Sequence, residues 1–174
     1  MNKKELLSQL ENAKNNYVLT LAAVSLFCNK QSFPILEKSK CNFGSFEVPF
    51  NQVVKIMSNK DDKKITLEEF IKMGVRVLVK ESFELIKNYT EGTAQFDKFK
   101  GWENYLFFKT IRNSVSHNFK IEIKSKKERD LLPFKWRNKK ITKEMNNSYL
   151  ALSFFGYHEA YLFFNDLIKF SEKI

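Results

Sequence analysis

The chain has 174 residues and a net charge of +10, and 43% of its side chains are hydrophobic and 15% aromatic. That length predicts one domain, 1–174, with an ordinary buried core, and the 18 phenylalanines argue against disorder. Five glycines and three prolines leave few turns, which favours long helices over a many-stranded sandwich. Cys28 and Cys41 stand outside CxxC spacing. They make neither a disulfide framework nor a zinc site, and they fit a reducing cytoplasm. The longest apolar run, Val18 to Cys28, is too short to span a bilayer, and it is broken by Thr20 and Ser25. No membrane anchor, signal peptide or membrane partner is expected.

The first predicted helix runs from about Lys3 to Asn29. Leu6, Leu10, Ala13, Tyr17, Leu21, Val24 and Cys28 recur at three- and four-residue steps, the stripe of an amphipathic helix. From Lys30 to Lys64 the pattern breaks at Pro34, Gly44 and Pro49. Phe50 to Met57 reads as a short helix, and Ser58 to Lys64 as a polar loop. Asp61 and Asp62 lack the glycine and spaced carboxylates of a calcium loop.

Thr66-Leu67-Glu68-Glu69 has the form of a capping box and predicts the start of a second long helix. Ile71, Val75, Leu78, Ser82, Leu85, Ile86 and Tyr89 mark its buried face, and it stops near Gly92. A third helix is predicted from about Thr93–Lys98 into the stretch Lys109–Phe119, finishing beside His117, with an apolar belt wide enough for burial from more than one side. After Asn118 the period shortens: Phe119, Ile121 and Ile123 alternate with polar residues, and so do Phe134 and Trp136. These runs predict a small basic β-hairpin or irregular arm. Thr142 is the predicted cap of a last helix reaching the C-terminus. That helix is so aromatic that it is either fully buried or part of a subunit interface. The fold class is therefore all-α: a bundle of about four long helices with a basic arm before the last.

Charge is concentrated in that arm. Between Lys120 and Lys143, ten Lys/Arg face Glu122, Glu128 and Asp130, a net +7. Such a segment suits a polyanion. Cations beside Phe134 and Trp136 make a track for single-stranded RNA, with Lys135, Trp136 and Arg137 as contacts. The alternative is a solvated hairpin whose aromatics pack inward.

The candidate site is Lys109-Thr110-Ile111-Arg112-Asn113-Ser114-Val115-Ser116-His117-Asn118-Phe119. It holds one of only two histidines in the chain. Four-residue spacing places Asn113 and His117 on one helix face, and Arg112 is long enough to bend toward them. Asn118 is the predicted left-handed C-cap. Arginine offers a forked permanent charge to phosphate, and histidine moves protons near neutral pH. No thiol, paired carboxylate or metal cluster accompanies them. The chemistry that fits is metal-free transesterification of RNA, with the 2′-hydroxyl attacking the adjacent phosphate. The structural alternatives are a capping histidine for His117 and a surface ion pair for Arg112.

The stretch resembles the signature of HEPN domains (higher eukaryotes and prokaryotes nucleotide-binding), in which arginine, a polar residue and a histidine follow one another at short spacing. Arg112, Asn113 and His117 match it, with Ile111 before the arginine and a polar residue after the histidine. The run from Phe134 to Thr142 resembles the segment leading many such domains into their last helix. The resemblance extends from about Thr66 to the C-terminus. It implies an all-α bundle that dimerises and brings two motifs together. It also implies a metal- and cofactor-independent endoribonuclease of toxin–antitoxin or antiviral type, or a non-catalytic module that binds nucleotide, RNA or a protein. Arg112 and His117 would then be catalytic and Asn113 supportive. Lys109, Ser116 and Asn118 would contact substrate. RNA, a second copy of the chain and a regulatory protein such as an antitoxin are the implied partners, in the cytoplasm. A third reading is a helical interaction subunit whose last helix docks a partner. Glu122-Ile123-Lys124 fits half of an ExK metal-nuclease site but lacks the companion strand and aspartate.

Overall fold

The computed structural model describes all 174 residues. It is mainly helical: eight α-helices and two two-stranded antiparallel hairpins. No helix is long and apolar enough to cross a membrane. The chain divides into two compact units, one of Met1–Tyr17 with Gly74–Ile174 and one of Val18–Met73.

The larger unit begins with the first part of α1 (Lys3–Cys28). Leu6, Leu10, Ala13 and Tyr17 are buried there, and the Tyr17 hydroxyl donates to the Tyr157 carbonyl at 2.7 Å. Helix α4 (Lys60–Gly92) buries Val75, Leu78, Ser82, Ile86 and Tyr89 of the predicted face and leaves Ile71 and Leu85 half-buried. Its start differs from the prediction. Asn59 caps it, its Oδ1 accepting from the N–H groups of Asp61 at 3.0 Å and Asp62 at 3.2 Å. The two aspartates occupy the first turn, where the helix dipole favours them. Thr66 thus lies inside the helix, and Glu69 pairs with Lys72 instead of closing a box. Ser58 to Lys64 is not a loop.

The predicted third helix is two helices, α5 (Phe96–Lys100) and α6 (Tyr105–Ser116). Gly101 follows α5, and the chain turns through Trp102 to Asn104 before helical bonding resumes. The last helix, α8 (Tyr157–Glu172), starts well after Thr142. Between them lie the short α7 (Lys126–Arg129) and a hairpin of β3 (Phe134–Trp136) and β4 (Lys139–Ile141). The run 119–123 does not pair with 134–138. It pairs with the stretch before α8: Leu150 N–H donates to the Phe119 carbonyl at 2.6 Å, and Ile121 N–H to the Ser148 carbonyl at 2.9 Å. Period-two alternation marked both runs as extended, but it carries no information about which extended run is the partner.

Aromatic rings fill the core of this unit. Phe108 stacks on Phe163 with centroids 3.9 Å apart and meets Trp102 and Trp136 edge-on. Phe155, Phe163 and Phe164 are buried, so most of the last helix's aromatic belt is internal. Tyr157 and Tyr161 remain exposed.

The smaller unit holds the rest of α1, α2 (Phe33–Lys38), β1 (Lys40–Phe43), β2 (Phe46–Pro49), α3 (Asn51–Ser58) and the first part of α4. Leu36, Val54 and Met57 are buried, and Phe27 lies 6.2 Å from Phe70. Helix α3 agrees with the expected short helix. The β1–β2 hairpin was not foreseen. It turns at Gly44, whose φ of +60° suits a residue without a Cβ.

Candidate functional site

Helix α6 ends where the sequence placed its chemistry. His117 is the C-cap, its N–H bonding the carbonyls of Asn113 at 3.0 Å and Ser114 at 3.1 Å. Asn118 then enters the left-handed region at φ +52°, as expected of a C-capping asparagine. Phe119 follows at φ +58°, unusual for a bulky residue. It is fully buried, its carbonyl holds Leu150, and the Arg76 guanidinium lies 5.7 Å from its ring centre. Arg76 Nε also donates to the Val115 carbonyl at 2.9 Å, placing a cation at the negative end of α6.

Lys109, Asn113 and His117 form one row along α6. They line a hollow of about 240 Å³ with Lys120, Glu122, Lys124, Ser125 and Glu128. A second, shallower hollow lies on the other side of His117, lined also by Asn118, Lys120, Glu122, Asn147 and Tyr149. His117 is exposed between the two.

Arg112 does not line either hollow. Its guanidinium forms an ion pair with Glu84 of α4, and NH1 donates to Asn113 Oδ1 at 2.7 Å. Nε is buried without a hydrogen-bond partner. The bend toward Asn113 that geometry predicted is therefore present. The surface-pair alternative is also partly met, in a pair with only about a quarter of each side chain exposed. With Oδ1 taken by Arg112, the Asn113 Nδ2 is the amide donor left for the hollow.

The charge around the hollow is more balanced than the segment total. Lys109 pairs with Glu128 at 2.5 Å, and Lys120 with Glu122 at 3.0 Å; Lys124 lies 3.9 Å from Glu122. The hydrogen bond and charge of Lys120 hold the Glu122 carboxyl below its ordinary value, and Lys124 and His117 add to that effect. Ser116 turns its hydroxyl back to the Arg112 carbonyl at 2.9 Å, which occupies its proton. Asn118 lines the second hollow.

The proposed RNA track is corrected at its centre. Trp136 is buried, and its indole N–H donates to Asp166 Oδ2 at 2.9 Å, so it offers no face to a base. Phe134 is buried beside it, and the inward-packing alternative holds for both rings. Arg137 is tied to Asp166 at 3.0 Å, and exposed Lys135 lines a separate hollow with Pro133 and Leu131. Neither shares a cavity with His117. Three residues that shape the site escaped sequence reading: Glu84, Arg76 and Glu122 as a neighbour of His117.

No three His, Cys, Asp or Glu side chains are grouped to hold a metal ion, and Glu122 has no companion aspartate. Cys28 and Cys41 are free thiols. Compared with protein-family models, curated proteins and solved structures, the chain matches none.

Proposed function

We propose that this chain is a metal-independent endoribonuclease of the HEPN type, cleaving RNA by attack of the ribose 2′-hydroxyl on the adjacent phosphate. The observation that carries the reading is the hollow itself. Asn113 and His117 of the motif open into it beside Lys109, Lys120 and Lys124, and Arg112 is bonded to Asn113. Lysine ammonium groups draw in a phosphate, and the Asn113 amide donates to its oxygen. His117 moves a proton. Arg112 acts through Asn113, fixing which end of the amide faces substrate. In this reading α1, α4, α6 and α8 are the long helices of an HEPN-like bundle. A second copy completes a shared cleft at the motif, and the protein works in the cytoplasm as a toxin or defence factor under a regulatory partner.

The test is cleavage of RNA in EDTA. The expected products carry 2′,3′-cyclic phosphate ends, and the all-deoxy strand is spared. His117→Ala is expected to lower the rate by about 10²–10⁴-fold, the usual worth of a positioned acid or base. Unchanged cleavage by a folded His117→Ala protein removes the reading.

One observation favours a second reading. The Arg112 guanidinium is already committed to Glu84, which leaves the motif's strongest phosphate ligand neutralised. A non-catalytic module that binds RNA or nucleotide through the lysines needs no free arginine. Salt-sensitive RNA binding with no product formation over hours identifies that case.

A further inference from the structure

Transesterification moves two protons. One leaves the 2′-hydroxyl and one reaches the departing 5′-oxygen. Each copy of the motif supplies one imidazole, His117, and the same chain can place the other proton carrier beside it. The lysine ammonium groups lining the two hollows are hydrogen-bond donors without an acceptor lone pair. Glu128 lines one hollow only, and the hollow on the other side of His117 lacks it. Glu122 lines both hollows, on each side of His117, and its side chain is 30% exposed. Lys120 and Lys124 flank it on its own segment, His117 and Lys109 face it from α6, Glu128 from α7 and Tyr149 from the stretch before α8. Its contacts are to cations, so it is present as an acceptor.

We infer that Glu122 is the general base of the reaction and His117 its general acid. This rests on the ribonuclease reading of the same site. The Glu122 carboxylate takes the proton from the 2′-hydroxyl as the O2′–P bond forms. The P–O5′ bond breaks, and the 5′-oxygen takes a proton from the His117 imidazolium. The products are a 2′,3′-cyclic phosphate and a 5′-hydroxyl. Water removes the proton from Glu122 and returns one to His117, so the step needs no other reactant. The charges around Glu122 keep it ionised below the ordinary carboxylate range in the free protein, which places the acid limb of the kcat/KM profile low.

The test uses the full chain and two RNA oligonucleotides, one natural and one with sulfur in place of the bridging 5′-oxygen at the scissile position. The sulfur leaves without protonation. Glu122→Gln is expected to lower cleavage of the natural strand by about 10²–10⁴-fold and to abolish the acid limb. Glu122→Asp is expected to restore part of the rate. The sulfur substrate is expected to rescue His117→Ala and not Glu122→Gln. The inference is overturned if Glu122→Gln cleaves within about threefold of wild type, against the much larger factor expected of a lost base. It is equally overturned if the acid limb persists in that variant, or if sulfur rescues Glu122→Gln instead. A wild type that leaves both strands intact removes the ribonuclease reading itself, an outcome distinct from a cleaving wild type with an indifferent Glu122.

Discussion

The Arg112–Glu84 pair makes a quantitative demand on stability. The two side chains are 27% and 24% exposed, between the surface and the interior. An exposed pair contributes about 0–1 kcal/mol, while breaking a buried one costs roughly 3–5 kcal/mol. Solvent screening at a quarter exposure places the coupling at about 1–2 kcal/mol. The Asn113 bond to NH1 survives loss of Glu84, so part of the guanidinium's satisfaction is retained. A double-mutant cycle of Glu84→Gln and Arg112→Met isolates the term. Urea denaturation followed by tryptophan fluorescence is the suitable assay, because Trp102 and Trp136 both lie in the unit that contains the pair. At this chain length, the loss from Glu84→Gln corresponds to a fall in Tm of about 2–8 °C. A coupling below about 0.5 kcal/mol refutes the reasoning and makes the pair an ordinary solvated one.

Three further outcomes follow from single contacts. Phe108→Ala removes a fully buried ring stacked on Phe163 and is expected to cost about 3–5 kcal/mol in urea denaturation. Trp136→Phe removes the indole donor to Asp166 and is expected to cost about 1–2 kcal/mol while leaving RNA affinity unchanged in filter binding; a loss of affinity would restore Trp136 to the RNA track. Burial raises the Glu159 carboxyl, but the N–H groups of Gly156 and Glu159 and the Lys139 ammonium outweigh it and leave the group below its ordinary value. A depressed carboxylate contributes stability above its unfolded value, and that contribution disappears as pH falls through the folded one. Glu159→Gln is thus expected to lower Tm at pH 7 and to converge with wild type below the ordinary carboxylate range; a pH-independent difference contradicts this.

Periodicity located α1 and α4 because burial of one face imposes it, although Leu21, Val24 and Cys28 of the first stripe and Ile71 and Leu85 of the second are only half-buried. Boundaries were less legible because caps compete locally. Asn59 and Thr66 are both competent N-caps, and the earlier one prevails with Asp61 and Asp62 in the first turn. Strand partners were illegible for a different reason. Phe119–Ile123 and Phe134–Trp136 share one alternation, and only the fold decides that the first meets 147–150 and the second meets β4. The β1–β2 hairpin left almost no mark, since nearly all its residues are exposed and no core face disciplines the pattern. The Asn113–His117 row was legible from helical spacing alone. Glu84 was not, because nothing near Arg112 in sequence names its long-range partner.

On the proposed ribonuclease reading, that unseen carboxylate changes how the site reaches phosphate. Arg76 and Glu84 sit on one face of α4 and hold α6 at two points, the Val115 carbonyl and the Arg112 guanidinium. The first contact supports the helix end on which His117 stands. The second takes the arginine's charge and leaves it one hydrogen bond from the hollow, through Asn113. Attraction for a polyanion then falls to Lys109, Lys120 and Lys124. All three are partnered at salt-bridge distance, Lys109 by Glu128 and both Lys120 and Lys124 by Glu122. An incoming phosphate has to compete with those carboxylates, so its arrival frees them. Glu122 released from Lys120 is a better proton acceptor than Glu122 bound to it, since the hydrogen bond that holds its proton affinity down is gone. On the inferred mechanism, substrate binding and base activation are thereby one event at Lys120.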